Sequence, residues 1–103
     1  MKIIINAENI ELNDQIREYI DEKIGKELNR LLNKISNVES LSANVTINKR
    51  SRWGFKVKFD ALLPIKEHIF AEAINKDLLA CLTDLREKIE VQLNKYKAKI
   101  KKV

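Results

Sequence analysis

The chain has 103 residues, of which 45% are hydrophobic and 34% charged, and its formal net charge is +5. This length fits one folded domain, residues 1–103, and is too short to enclose a deep catalytic cleft. No apolar run approaches the ~20 residues that span a bilayer, so a membrane protein is not expected. Because Cys81 is the only cysteine, an internal disulfide is excluded and a reducing, cytoplasmic location is expected.

Positive charge is unevenly distributed along the chain. Residues 1–35 sum to −1, whereas residues 36–60 and residues 61–103 each sum to +3. The excess lies in residues 48–59 and in the chain end, where residues 95–102 carry five lysines and no acid. Clusters of this kind attract phosphate backbones or anionic membranes.

The first third of the chain has the pattern of a strand followed by a helix. The isoleucine run within residues 2–6 predicts a short, fully buried strand. Asn13 is a suitable N-cap, and Asp14 follows in the first turn, where the helix dipole favours an acid. Apolar residues then recur at intervals of three and four up to Ile35, which predicts an amphipathic helix of about 20 residues.

Three further strands and a second helix are predicted in the remainder. Apolar and polar residues alternate over residues 41–47 and again over residues 53–63, with a hairpin loop between them. A shorter alternation over residues 69–73 follows. A second helix begins near Asp77 and carries one apolar stripe towards the chain end. The order β-α-β-β-β-α predicts an α+β domain, with a four-stranded sheet and both helices packed on one face.

Helical geometry groups the basic residues of each predicted helix on one flank. At 100° per residue, four residues of the second helix lie within roughly 60° of one another: Lys88, Lys95, Lys99 and Lys102. The first helix has a similar basic flank, formed by Lys23, Lys26 and Arg30. We therefore expect the two helices to present a joint basic surface.

Lysines near a helix C-terminus also have a simpler explanation. They interact favourably with the helix dipole, by about 0.3–1 kcal/mol each at best, and they keep a small domain soluble. That explanation accounts neither for the grouping on one flank nor for a second cluster at Lys49, Arg50 and Arg52. Polyanion binding is therefore favoured. Nucleic acid is a better candidate than a membrane, because the apolar stripes of both helices are needed for the core.

No residue pattern indicates catalysis or the binding of a metal, a cofactor or a small-molecule substrate. His68 is the only histidine, and the Cys, His and acidic residues lack metal-ligand spacing. Gly25 and Gly54 form no phosphate-binding loop. Cys81 lies one position from the apolar stripe, as buried structural thiols do, and Trp53 belongs to an alternating strand. An enzyme is not expected.

Three stretches, in chain order, match one known pattern. Residues 5–26 contain a strand end followed by a helix with the run Ile-Arg-Glu-Tyr-Ile. Residues 55–82 contain a strand, a Leu-Pro turn, another strand and a helix start, and residues 87–101 form a lysine-rich helix end. In these features the chain resembles the ribosome hibernation promoting factors and ribosome-associated inhibitors, a family also described as sigma-factor modulation proteins.

The resemblance implies a fold like that of double-stranded-RNA-binding domains and a non-enzymatic function in bacteria. It implies docking in the small ribosomal subunit, in the channel where messenger and transfer RNAs pass near the decoding centre. Such docking inhibits translation under stress or in stationary phase, and short members of the family help ribosomes pair into inactive dimers. A second small ribosome-modulating factor is left open as a further partner.

The resemblance also indicates which residues contact rRNA. Basic positions typical of the family are matched by Lys23, Lys26, Lys88, Lys95, Lys97 and Lys99. With the other basic clusters, the complete candidate set is Lys23, Lys26, Arg30, Lys49, Arg50, Arg52, Arg86, Lys88, Lys95, Lys97, Lys99 and Lys102. Three residues depart from the family pattern: Leu79, Thr83 and Val91. A general double-stranded-RNA-binding module and a protein-interaction adaptor remain as alternatives.

Overall fold

The computed structural model describes residues 2–32, 41–50, 52, 54–63 and 67–101. The strands are β1 (Lys2–Glu8), β2 (Ser42–Arg50), β3 (Gly54–Leu63) and β4 (Glu67–Asn75). The first helix consists of α1 (Asp14–Ile20), a π-helical turn (Asp21–Gly25) and α2 (Lys26–Leu32), and the last helix is α3 (Leu78–Lys101). The predicted order β-α-β-β-β-α is confirmed when the three parts of the first helix are counted as one.

The four strands form one mixed sheet in the order β1-β2-β3-β4. β1 pairs in parallel with β2, and the two later pairs are antiparallel. A parallel pair needs a crossover connection, which the first helix supplies. Alternate residues of β2, β3 and β4, such as Val45, Phe59 and Ala71, are buried with the apolar stripes of the helices in one core. The helices therefore cover one face of the sheet, as predicted, and the other face is open.

The prediction that residues 2–6 form a fully buried strand is wrong, because β1 is an edge strand. Its residues alternate between exposed and half-buried, and Ile4 on the open face is 41% exposed. Ile3 and Ile5 pack against the core from the other face. An uninterrupted run of isoleucines conceals this alternation, which only the strand's position in the sheet reveals.

Both predicted helix starts are confirmed. The Asn13 side-chain oxygen accepts a hydrogen bond from the backbone N–H of Ile16 at 2.9 Å. Asp77 does the same for α3, accepting from the backbone N–H of Ala80 at 3.0 Å. Each bond satisfies a donor that the first helical turn leaves without an intrahelical partner. The predicted helix end at Ile35 and the predicted strand position of Trp53 lie outside the described residues.

The spacing of buried residues in the first helix explains its π-helical turn. Five of its buried residues occur at intervals of four: Ile16, Ile20, Ile24, Leu28 and Leu32. An α-helix has 3.6 residues per turn, so each such interval rotates the apolar stripe by about 40° away from the core. In the π turn, the backbone N–H of Lys26 donates to the carbonyl of Asp21, five residues earlier. This wider turn contains one residue more than an α-helical turn, so Leu28 again faces the core.

The last helix gives the molecule its elongated shape. Its 24 residues span about 36 Å at 1.5 Å per residue, and the overall dimensions are 47 × 21 × 19 Å. Leu93 and Tyr96 are buried, so the helix remains packed on the domain beyond its midpoint. Its lysine-rich final turns are thus held in a defined position on one side of the core.

Candidate nucleic-acid interface

Three of the predicted lysines lie on the flank of α3 that faces the edge strand β4. Lys88 donates a hydrogen bond from Nζ to the backbone carbonyl of Glu72 at 2.7 Å. Lys99 places Nζ 3.1 Å from Oε1 of Glu67. Lys95, seven residues after Lys88, is exposed on the same flank. We call these three residues the β4-side lysines. The fourth member of the predicted group, Lys102, lies outside the described residues.

The opposite flank of α3 faces the first helix. Arg86 on this flank lies close enough to Glu27 to help lower its pKa, although the main cause is a hydrogen bond from Arg30. Arg30 in turn has a raised pKa, mainly through the hydrogen bond to Glu27 and in part through the charge of Glu90. These four residues alternate in sign, and we call them the interhelical row.

The expected joint basic surface is therefore divided in two. Lys88 and Arg86 are two residues apart, about 160° to 200° around the helix axis, so they cannot face the same neighbour. The β4-side lysines point away from the first helix, and the interhelical row contains as many acids as bases. Helical periodicity shows which residues share a flank. Which flank meets the other helix depends on packing that the periodicity does not contain.

The remaining cations of the two helices flank the interhelical row. Lys23 is half-buried and precedes Glu27 by one turn, whereas Lys26 is exposed on the outer side. Lys97 is half-buried on the same flank of α3 as Arg86, three turns further along. The outer surface of the helix layer thus carries separate basic groups, and the sequence has no acid between Lys95 and the helix end.

The hairpin cluster is distributed over both faces of the sheet. Lys49 and Arg50 are adjacent in β2, so their side chains point to opposite faces, with Arg50 on the open one. Arg52 is exposed in the connecting turn. The predicted set omits Lys56 and Lys58, although the alternation in residues 53–63 places both on the open face near Arg50.

The residues that depart from the family pattern all lie at the surface of α3. Leu79 is 36% exposed and Val91 is 55% exposed. The Thr83 hydroxyl donates to the backbone carbonyl of Leu79 at 3.0 Å, within the same helix. None of the three belongs to the buried core, so these departures leave the fold unaffected and change only what the surface can contact.

Other reactive side chains have structural surroundings. Cys81 is fully buried, its thiol donates to the carbonyl of Ala73 at 3.2 Å, and burial raises its pKa. His68 pairs with Asp60 on the exposed face of the sheet. Within the described ranges, no group of three His, Cys, Asp or Glu residues is placed to hold a metal ion. In the same ranges, no helix is both apolar enough and long enough to cross a bilayer.

Comparison with known proteins identifies the family of this domain. Residues 3–101 match the family described as Sigma 54 modulation protein / S30EA ribosomal protein. The N-terminal domain of Protein Y from Thermus thermophilus has the same fold, with a TM-score of 0.76 and 24% identity over 93% of this chain and 99% of that one. A ribosomal subunit interface protein from Coxiella burnetii gives a TM-score of 0.73 and 22% identity, over 95% and 99% of the two chains.

No functionally curated protein matches the sequence. The family match nevertheless spans nearly the whole domain and includes all three stretches on which the predicted resemblance rests. The chain belongs to the Sigma 54 modulation protein / S30EA ribosomal protein family.

Proposed function

We propose that the protein binds the small ribosomal subunit and inhibits translation by occupying the messenger and transfer RNA channel near the decoding centre. The observation that carries this proposal is the row of β4-side lysines on a rigid helix in a member of this family. The relative from Coxiella burnetii is described as a ribosomal subunit interface protein, which fits the same kind of partner. No catalytic step is involved.

The basic residues would act by neutralising rRNA phosphates. Phosphate contacts position a protein on RNA without reading the base sequence. Double-stranded RNA is recognised mostly by its shape, so the preference for one channel would come from the form of the domain. An elongated body of 47 × 21 × 19 Å with cations along its longest helix suits a narrow channel lined by phosphates.

The acids beside the β4-side lysines would not prevent phosphate binding. Glu72 offers Lys88 only its backbone carbonyl, and an ammonium group has three donors, so two remain for phosphate oxygens. The ion pair between Lys99 and Glu67 lies at the surface, where such pairs contribute about 0–1 kcal/mol. Replacing Glu67 by a phosphate as the partner of Lys99 would therefore cost little free energy. Lys95 has no acidic partner among the described residues.

The biological setting we propose follows from the family. The protein would act in the bacterial cytoplasm under stress or in stationary phase, where it would promote or stabilise inactive ribosome dimers. A second small ribosome-modulating factor would be a partner in dimer formation. Sucrose-gradient profiles of stationary-phase ribosomes, with and without the protein, separate stabilised dimers from silenced single ribosomes.

The two alternative functions are separated by comparing ligands at one fixed salt concentration. We expect affinity for isolated small subunits to exceed affinity for a free RNA duplex by roughly a thousandfold, the low end of typical specific preferences. Equal affinity for both ligands would instead identify a general double-stranded-RNA-binding module. Pull-down of a protein partner without RNA, insensitive to salt, would identify an interaction adaptor.

A further inference from the structure

We propose that the open face of the sheet holds a second phosphate-binding site, built from Arg50, Lys58 and Thr46, for the backbone of an RNA strand. These residues lie on the face opposite the helices and therefore opposite the β4-side lysines. The RNA ligand of this site rests on the proposed function. The site adds a second binding surface to the one that the β4-side lysines form.

The register of two strands brings the site together. In the antiparallel pair of β2 and β3, Thr46 lies directly opposite Lys58, and Asn48 lies opposite Lys56. Directly opposite side chains have Cβ atoms about 4.5–5.5 Å apart. Arg50 lies opposite Gly54 and is the last open-face residue of β2. The result is a concavity of about 160 Å³ whose lining includes Arg50, Lys56, Lys58, Thr46, Asn48 and Glu8.

The cations of this concavity are incompletely neutralised. Lys56 places Nζ 3.6 Å from Oε2 of Glu72, which is its ion-pair partner on β4. Arg50 and Lys58 have no ion-pair partner in the described part of the chain. Glu72 also lies directly opposite Lys58 in the register of β3 and β4. With Glu8 and Glu72 both counted, the three cations leave a net charge of +1. An anion bound among these side chains would be attracted by their positive charge.

The one carboxylate among the described lining residues is held by an amide. Glu8 accepts a hydrogen bond from Nδ2 of Asn48 at 3.0 Å, and Asn48 accepts one from Asn9 at 3.4 Å. This hydrogen bond holds the Glu8 carboxylate at the β1 side of the concavity. The hydroxyl of Thr46, opposite Lys58, stays available as a neutral donor.

The chemistry of the lining favours a phosphodiester over a base. A guanidinium group matches two phosphate oxygens at once, and a nearby ammonium and hydroxyl add single contacts. Base recognition in single-stranded RNA depends on stacking against aromatic rings, and the described residues that line this concavity include no aromatic side chain. With cations on both faces, the domain would contact two rRNA segments at once and bridge them.

The site itself is tested without ribosomes, by titrating the protein with inorganic phosphate and following backbone amide shifts by NMR. We expect saturable shifts at Thr46 and Lys58 in the wild-type protein. We expect none in the R50Q/K58Q variant, in which both cations become neutral amides. Absence of shifts at these positions in the wild-type protein, or persistence of the same shifts in the variant, would overturn the site.

The RNA ligand is tested by the salt dependence of affinity for isolated small subunits. The R50Q/K58Q variant should lose one phosphate contact. Its slope of log affinity against log salt should then be smaller than that of the wild-type protein by about 0.7–0.9, and its affinity roughly five- to tenfold lower at 0.1 M salt. The matched control is K2Q/R17Q, which removes the same charge from exposed positions away from the concavity and should keep the wild-type slope.

The outcomes separate the two proposals. If the wild-type protein does not bind the subunit at all, the proposed function is wrong and an RNA ligand for this site is wrong with it. If the wild-type protein binds and R50Q/K58Q retains the wild-type slope, only the second site is overturned. Equal losses in R50Q/K58Q and in the control would show a general effect of charge, which also overturns it. Circular dichroism melting verifies that both variants are folded.

Discussion

The variant K88E/K95E/K99E is expected to lose co-sedimentation with the small ribosomal subunit. It changes the net charge by −6 and turns three attractive contacts with phosphates into repulsive ones. Each neutralised phosphate contributes about 0.7–0.9 to the salt slope, so removing three contacts lowers affinity by roughly two or more orders of magnitude at 0.1 M salt, before repulsion is counted. Sedimentation through a sucrose cushion measures this loss directly.

The same variant should remain folded. Lys88 loses its hydrogen bond to the Glu72 carbonyl, which contributes about 1 kcal/mol to the free energy of unfolding. Lys95 and Lys99 are exposed, and surface substitutions usually change stability by about 0.5 kcal/mol or less. We therefore expect the melting temperature to fall by only about 5–10 °C.

A charge-matched control distinguishes the face from the total charge. K2E/R17E/K76E also changes the net charge by −6, at three exposed positions outside the predicted contact set. We expect this control to bind the subunit far better than the variant of the β4-side lysines. Wild-type binding by K88E/K95E/K99E, or equal loss in the control, would contradict the assignment of this flank.

The variant Gly54→Ala is expected to destabilise the domain by about 3 kcal/mol. Gly54 has φ of 82°, in the left-handed region that residues with a Cβ adopt at a cost. A Cβ here would lie 2.4 Å from Cα of Lys76 and 2.5 Å from the carbonyl oxygen of Asn75. Both are backbone atoms that no side-chain rotation can move, so the β2–β3 hairpin and the turn before α3 would have to separate.

The other glycine provides the matched control. A Cβ at Gly25 would lie 3.3 Å from Cδ1 of Ile3, the mobile end of a side chain. Alanine is favoured over glycine in a helix by about 0.5–1 kcal/mol, which offsets that crowding. Gly25→Ala should therefore stay within about 1 kcal/mol of wild type in urea unfolding. Equal destabilisation by the two variants would show that the close approach at Gly54 is not the cause.

The sequence predicts most of the fold because periodicity reports directly which face of an element is buried. Residues 41–47 alternate with period two and form β2, and the caps at Asn13 and Asp77 begin the helices where predicted. β1 was not predictable in detail, because its consecutive isoleucines are compatible with burial on either face. The π-helical turn was not predicted. The four-residue spacing of the apolar residues around Ile24 is present in the sequence, but its meaning is clear only once the structure shows that these residues are buried.

The candidate site was less predictable than the fold. A helical projection groups Lys88 with Lys95 and Lys99, and the structure places them on one flank. The projection cannot show that Arg86, on the opposite flank, lies close enough to Glu27 of the first helix to influence its pKa. It also cannot reveal the concavity near Lys58, which arises from the register between two strands. Both depend on contacts between residues distant in sequence.

The central claim is that the protein binds the small ribosomal subunit by neutralising phosphates, and the salt dependence of wild-type affinity tests it most directly. If ~6 phosphates are neutralised, log affinity should fall against log salt with a slope of about −4 to −5. Affinity for isolated small subunits would be measured at several salt concentrations around 0.1 M. A slope near zero, with binding retained throughout, would contradict the claim.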